Sequence, residues 1–365
     1  RPAAVSGPDV RMQRNAVKMK CQSLLTAETE KSDVFCTGRE SRGKSMAETL
    51  LEIKDLKKYY ELKSGFLGRD RRVVKAVDGI TLALKEGEIL GVVGESGCGK
   101  STLGRSILRL IEPTDGEILF DGKNIRALKK EELRQERSNM QIIFQDPGAS
   151  LNPRMTVGEI IGEPIELFGT ETGEAKEEKI YKLMDLVGIN RSYIHRFPHE
   201  FSGGQRQRIG IARALAVDPK LIICDEPVSA LDVTVQSQIL RLILRLHDEK
   251  KMTILFITHD LNIVRRICRR VVVLYRGEIV ESGLAEEIYR APAHPYTELL
   301  LNSAPDGDTA ASEKAVADIG EGVPAGFRGC FFYPRCPKRC SRCREARPED
   351  TMVAAGHTAR CFRLM

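Results

Sequence analysis

The stretch Gly94-Glu95-Ser96-Gly97-Cys98-Gly99-Lys100-Ser101-Thr102 decides the fold. An apolar run, Ile89 to Val93, precedes it, and Leu103, Ile107, Leu110 and Ile111 then recur at helical spacing. Strand, glycine-rich turn and helix in that order fit G-x-x-x-x-G-K-S/T, a phosphate-binding loop. The glycines let backbone N–H groups turn toward phosphate oxygens, and the helix N-terminus adds positive potential. Lys100 is expected to reach the β- and γ-phosphates of a nucleoside triphosphate, and Ser101 to ligate Mg²⁺. A chance glycine turn is the competing reading, and flanks of this quality argue against it.

Working outward, Leu221 to Cys224 reads as a buried strand ending in Asp225-Glu226. A carboxylate there is costly unless it meets a cation, so Asp225 is expected to hold Mg²⁺. Glu226 stands beside it as the general base for an attacking water. Gln145 follows the strand-like Gln141 to Phe144 and is placed to touch Mg²⁺ or water. His259 follows the strand Thr253 to Ile257; a lone histidine is usually structural, and its position after Asp225-Glu226 suggests a bond to the γ-phosphate. Ser202-Gly203-Gly204-Gln205 opens a second helix, whose free N–H groups make a second anion site. One chain cannot easily bring two such loops to one γ-phosphate, whereas two facing subunits can. Asp232 is then expected at the subunit junction, and equally as a helix N-cap. Tyr60 or Tyr59 is a candidate to stack on adenine, though both also suit a core.

The chain has 365 residues, enough for one large domain and an extension. Its longest apolar runs are strand-sized, well short of the ~20 residues that cross a bilayer. The net charge of +6 resides in the tail from Arg328 to Met365, and the remainder balances. Nucleic-acid binders spread basic surface over a docking face, so no nucleic-acid partner is expected. Ten cysteines are present, and Cys330, Cys336, Cys340, Cys343 and Cys361 crowd the tail.

Residues 1–45 lack apolar periodicity and do not begin with Met, so they read as disordered or as a non-native extension. From 46 to about 300, short apolar strands alternate with helices, the pattern of a mostly parallel α/β sheet. The stretch 145–215 breaks that alternation and reads as an inserted helical subdomain. Val271 to Tyr275, Arg276-Gly277 and Glu278 to Glu281 read as a hairpin. Residues 305–325 read as a linker to the cysteine-rich tail, within a C-terminal region spanning 301–365.

These motifs, in this order, resemble the ATP-binding subunits of ABC transporters over about residues 48–300. The segments Gln145-Asp146-Pro147-Gly148-Ala149-Ser150-Leu151-Asn152-Pro153 and Ala293-His294-Pro295-Tyr296-Thr297, with the tail, resemble the oligopeptide/dipeptide/nickel importer group. Ala76-Val77-Asp78-Gly79 and Leu108 to Thr114 favour its F-type subunit. The resemblance implies a P-loop ATPase with a RecA-like sheet core and an active ATP site using Mg²⁺. It also implies a homologous second ATPase, D-type or a second copy, two membrane permeases, and an extracytoplasmic solute-binding protein. The protein would then lie at the cytoplasmic face of a prokaryotic plasma membrane. Peptide is the expected cargo, with nickel or another solute as the alternative.

Cys330, Cys336, Cys343 and Cys361 supply four thiols, with Cys340 spare. Some importers of this group are understood to carry a 4Fe-4S cluster at matching cysteines, and Zn²⁺ is the rival. Arg335, Lys338, Arg339, Arg342 and Arg344 would offset the negative centre. Cys98, at a helix start, is expected to be a loop filler. A non-transport ABC ATPase acting on DNA or ribosomes is disfavoured, because the segment between the two loops leaves no room for a long coiled coil and only one ATPase unit is present.

Overall fold

The computed structural model describes residues 48–64, 70–302 and 327–364. The expectations for residues 1–45 and for a linker over 305–325 lie outside the described residues. The strands are β1 (Thr49–Ser64), β2 (Asp70–Lys85), β3 (Ile89–Val93), β4 (Asp115–Phe120), β5 (Lys123–Asn124), β6 (Met140–Ile143), β7 (Leu221–Asp225), β8 (Thr253–Thr258), β9 (Arg270–Tyr275), β10 (Glu278–Leu284), β11 (Thr351–Ala354) and β12 (His357–Ala359). The helices are α1 (Lys100–Ile107), α2 (Lys130–Glu136), α3 (Pro147–Ser150), α4 (Val157–Phe168), α5 (Gly173–Val187), α6 (Gly203–Leu215), α7 (Val233–Lys250), α8 (Leu261–Ile267), α9 (Ala285–Arg290), α10 (Pro295–Asn302) and α11 (Arg342–Glu345).

The main sheet runs β11-β12-β10-β9-β3-β8-β7-β6, with β9, β3, β8, β7 and β6 parallel. Every residue of β3, β7 and β8 is buried, which is why these strands read as unbroken apolar runs. Successive residues face opposite sides: Leu221 and Ile223 join one apolar cluster, Ile222 and Cys224 the other. One face is covered by α1 and the antiparallel sheet β2-β1-β4-β5, the other by helices that include α6 and α7. The parallel register sets Val93 beside Thr258 and Asp225 beside Ile257. The phosphate loop, Asp225-Glu226 and His259 therefore leave the sheet side by side at its carboxyl edge, where ligands bind in such sheets.

The sixteen-residue strands β1 and β2 are weak in the sequence pattern. Pairing between them shifts register at Ile53/Leu56, Leu56/Lys57 and Lys58/Tyr59, and Asp55 adopts φ 48°. Each shift resets the two-residue alternation on which strand reading depends. The hairpin over Val271 to Glu281 forms as expected, with Arg276 and Gly277 both at positive φ (47° and 83°) in its turn.

Between β6 and β7 lie α3, α4, α5 and α6. Thr156 and Ser202 each start a helix through a capping box, with Glu159 and Gln205 as the returning partners. Ile160, Ile161, Ile165, Met184, Val187 and Ile209 interlock these helices. The tail adds to the main sheet: β12 pairs with β10 through Glu281↔Ala359 and Ser282↔Thr358. His357 Nε2 lies 2.8 Å from the fully buried carboxylate of Glu281, which also accepts from the N–H groups of Ala293 and His294.

Candidate active site

Lys100 begins α1, and its neighbour Gly99 holds φ +108° immediately before it. A Cβ at Gly99 would stand 1.9 Å from the carbonyl oxygen of Ala76, so only glycine fits there. Gly97 faces open space and Ser96 is exposed, leaving the mouth of the loop accessible. Lys100 is 4% exposed, and its Nζ donates to the carbonyls of Gly94 (2.7 Å) and Glu95 (2.9 Å). The ammonium also lies 3.7 Å from Glu226 Oε1. Thr102 follows Ser101 on the first turn of α1.

Ser101 Oγ donates to Asp225 Oδ1 at 2.7 Å. Asp225 is fully buried, and its Oδ2 has no hydrogen-bond partner. Arg105 Nη2 stands 3.8 Å away as a distant counter-charge. Burial pushes the Asp225 carboxyl above its ordinary range, the sign of a carboxylate short of positive charge. A divalent cation beside Ser101 and Asp225 would supply what is missing, so the donor set fits Mg²⁺. Arg105 was not anticipated; its place one turn beyond Ser101 on α1 is the signal that could have found it.

Glu226 adopts φ 47°, a left-handed conformation uncommon outside glycine. Gln145 Nε2 donates to Glu226 Oε2 at 3.2 Å, and His259 Nδ1 lies 3.3 Å from the same oxygen. The hydrogen bond with His259 holds the Glu226 carboxyl below its usual range, and the same bond raises the histidine. Lys100, Ser101, Gln145, Asp225, Glu226 and His259 thus meet at one place.

Ser202 caps α6, accepting from Gln205 N (3.4 Å), while Gln205 Oε1 accepts from Ser202 N (3.1 Å). Ser202 and Gly203 are exposed. Gly204 is packed so closely that a Cβ would meet Val235 Cγ1 at 2.4 Å. Asp232 caps α7 through Val235 N (3.1 Å) and is itself exposed. Among the described residues, no hydrogen bond or ion pair joins Ser202–Gln205 or Asp232 to the phosphate loop. The two tyrosines separate: Tyr59 donates from its hydroxyl to the buried carboxylate of Asp78, whereas Tyr60 is half-buried with Lys58 Nζ 4.9 Å above its ring.

The metal centre expected in the cysteine tail finds no support among the described residues. Cys330, Cys336, Cys343 and Cys361 come within electrostatic reach of one another. Even so, no group of three or more His, Cys, Asp or Glu side chains among the described residues is disposed to hold a metal. Cys343 Sγ instead lies 3.3 Å from the sulfur of Cys340, the cysteine set aside as spare. Burial pushes Cys330 up to about 11 and raises Cys336, Cys343 and Cys361. Arg335 pairs with Glu95 and Lys338 with Glu298, while Arg339 and Arg342 lie over the rings of Tyr333 and Phe362 and within electrostatic reach of Cys336 and Cys340. Cys98 is 6% exposed, and burial raises its thiol, overriding the helix terminus.

Among the described residues no helix is long and apolar enough to cross a membrane. The ABC transporter family matches residues 77–229, and the family described as oligopeptide/dipeptide transporter, C-terminal region, matches residues 280–343. The oligopeptide transport ATP-binding protein AppF of Bacillus subtilis (strain 168) is 49% identical over 319 residues, covering 86% of this chain and 97% of that protein. OppF of Escherichia coli (strain K12), with the same description, is 48% identical over 306 residues, covering 82% and 92%. A dimeric structure of the ATP-binding cassette MJ0796, in a post-hydrolysis state with ADP and Pi, is 31% identical with a TM-score of 0.58, covering 64% of this chain and 98% of that one. The chain belongs to the ABC transporter family, as an ATP-hydrolysing, ATP-binding subunit of the oligopeptide/dipeptide group.

Proposed function

We infer that this chain hydrolyses ATP at a site shared by two facing subunits and so energises the import of peptides through a membrane transporter. The observation that carries the reading is the buried, half-unpartnered Asp225 beside Ser101, with Glu226, Gln145, His259 and Lys100 around it. Lys100 would leave its two carbonyl partners for the β- and γ-phosphates of ATP. Ser101, Asp225 and Gln145 would hold Mg²⁺, which offsets phosphate charge when bound. Glu226, bonded to His259, would accept the proton of the attacking water. His259 would also bond the γ-phosphate, and Tyr60 would stack on adenine. Gly94 to Thr102 would cradle the phosphates through their backbone N–H groups.

Ser202, Gly203, Gly204 and Gln205, with Asp232, would clamp the nucleotide of the facing subunit. That subunit would be a D-type homologue or a second copy of this chain. The exposure of Ser202, Gly203 and Asp232 supports the reading, as does the relatives' description as oligopeptide transport proteins. Two permeases and an extracytoplasmic binding protein would complete the transporter, with this subunit peripheral at the cytoplasmic face of a prokaryotic membrane. A nickel or other solute cargo is the alternative within the same group.

The test is Glu226→Gln. It should bind ATP normally, accumulate an ATP-bound dimer and turn over at no more than about 1% of the wild-type rate. Uptake of labelled peptide into vesicles carrying the assembled transporter should stop with it. Unchanged turnover would remove Glu226 as the base, and uptake of nickel in place of peptide would change the cargo.

A further inference from the structure

Glu95 is a carboxylate inside a loop built to receive a polyanion. Left unpaired, it would repel the phosphates that the backbone N–H groups and Lys100 attract. Its partner comes from far along the chain. Arg335 Nη1 and Nη2 donate to Glu95 Oε2 and Oε1, each at 2.7 Å, as a two-pronged pair. The Arg335 side chain is 17% exposed, and its guanidinium lies beside the rings of Phe332 (5.8 Å) and Tyr275 (5.9 Å). A second contact holds the same residue: the Glu95 N–H donates to Tyr296 Oη at 2.8 Å. Tyr296 is fully buried, in ring contact with Tyr275 and Phe332, and Tyr275 ends the strand next to the loop.

We propose that the C-terminal region completes the phosphate loop, with Arg335 as a positioning residue that neutralises and orients Glu95 so that the loop accepts a triphosphate. The tail's attachment does not depend on this pair alone, because β12 pairs with β10, His357 meets Glu281, and Phe332 is buried. Removing Arg335 therefore leaves an acidic loop on a folded protein. The role rests on the proposed use of Gly94 to Thr102 as the ATP phosphate cradle, and its test is chosen to fail separately from that reading.

The experiment measures ATP affinity by calorimetry in the full-length chain, with Glu226→Gln as background to block turnover. Arg335→Gln and Arg335→Ala should each weaken ATP binding about five- to tenfold, the effect of one unscreened charge at a partly exposed site. Adding Glu95→Gln should restore affinity to within about threefold of the background protein, because the repelling charge is gone. Proteolytic protection of residues 327–364 checks that the tail stays docked, and Arg335→Gln keeps most of the side chain's size should the alanine variant loosen it. Undiminished affinity in Arg335→Gln, or a double variant that binds no better than the single, overturns the proposal. Lys100→Ala is the control: if it binds ATP like the parent, the phosphate-loop reading itself fails, whatever Arg335 does.

Discussion

The two halves of the proposed ATP site differ in how completely one chain builds them. Around the phosphate loop, six side chains from α1, the ends of β6 and β7, and the segment after β8 already touch through bonds of 2.7–3.7 Å. The Ser202–Gln205 turn and Asp232 satisfy their own helix ends and then face outward. On the proposed reading, the first half waits for a ligand and the second for another subunit that carries one. A closed capping box is locally content, and among the described residues no hydrogen bond or ion pair draws Ser202 toward Lys100.

The sharpest way to break this contrast is to damage each half alone. Lys100→Ala should abolish ATP binding to the single chain. Ser202→Arg should leave that binding intact and cut turnover of the assembled pair about 100-fold, the usual cost of losing an anion-hole donor. Equal loss of binding in both variants would show that the halves are not separate. A smaller effect refines the first half. Tyr60→Ala should raise the KM for ATP about tenfold through lost stacking, with little change in kcat. Tyr59→Phe should instead lower the melting temperature, since it strips a hydrogen bond from the buried Asp78. A KM effect at Tyr59 and none at Tyr60 would reverse that assignment.

The smallest expected effect lies in the Glu226–His259 pair. His259 is raised above its ordinary 6.5, so its share of stability is complete below that value and fades as pH climbs through the raised one. Glu226 is lowered below its ordinary 4.5, so its share is complete above that value and is lost as pH falls through the lowered one. The melting-temperature gap between the wild type and His259→Ala should be widest between pH 4.5 and 6.5 and should narrow at alkaline pH. Because His259 is 56% exposed, solvent screening keeps the contribution below about 1 kcal/mol. A gap that widens toward alkaline pH would contradict the pairing.

Much of the assembled half was legible because its signals are local. A glycine turn between strand and helix, an acid pair closing an apolar run, and a histidine after the next strand each announce themselves within ten residues. The strands β1 and β2 were not legible as a long antiparallel pair, because register shifts scramble their alternation. The choice between Tyr59 and Tyr60 turns on Asp78, which only folding brings to the Tyr59 hydroxyl. The cysteine spacing is a related case: spacing says which thiols are available, not which neighbours they meet. Cys340 is spare by that spacing, yet its sulfur lies 3.3 Å from that of Cys343.

By itself, the sequence determined the glycine loop between strand and helix, the individual buried strands and the helices that start at Ser202 and Asp232, because backbone geometry and apolar period act over a few residues. The tertiary structure decided that the tail extends the main sheet and that its Arg335 closes on Glu95, two residues 240 positions apart. Such a pairing depends on where the β9–β10 hairpin and the aromatic cluster of Tyr275, Tyr296 and Phe332 deliver the chain, and no local pattern encodes that position.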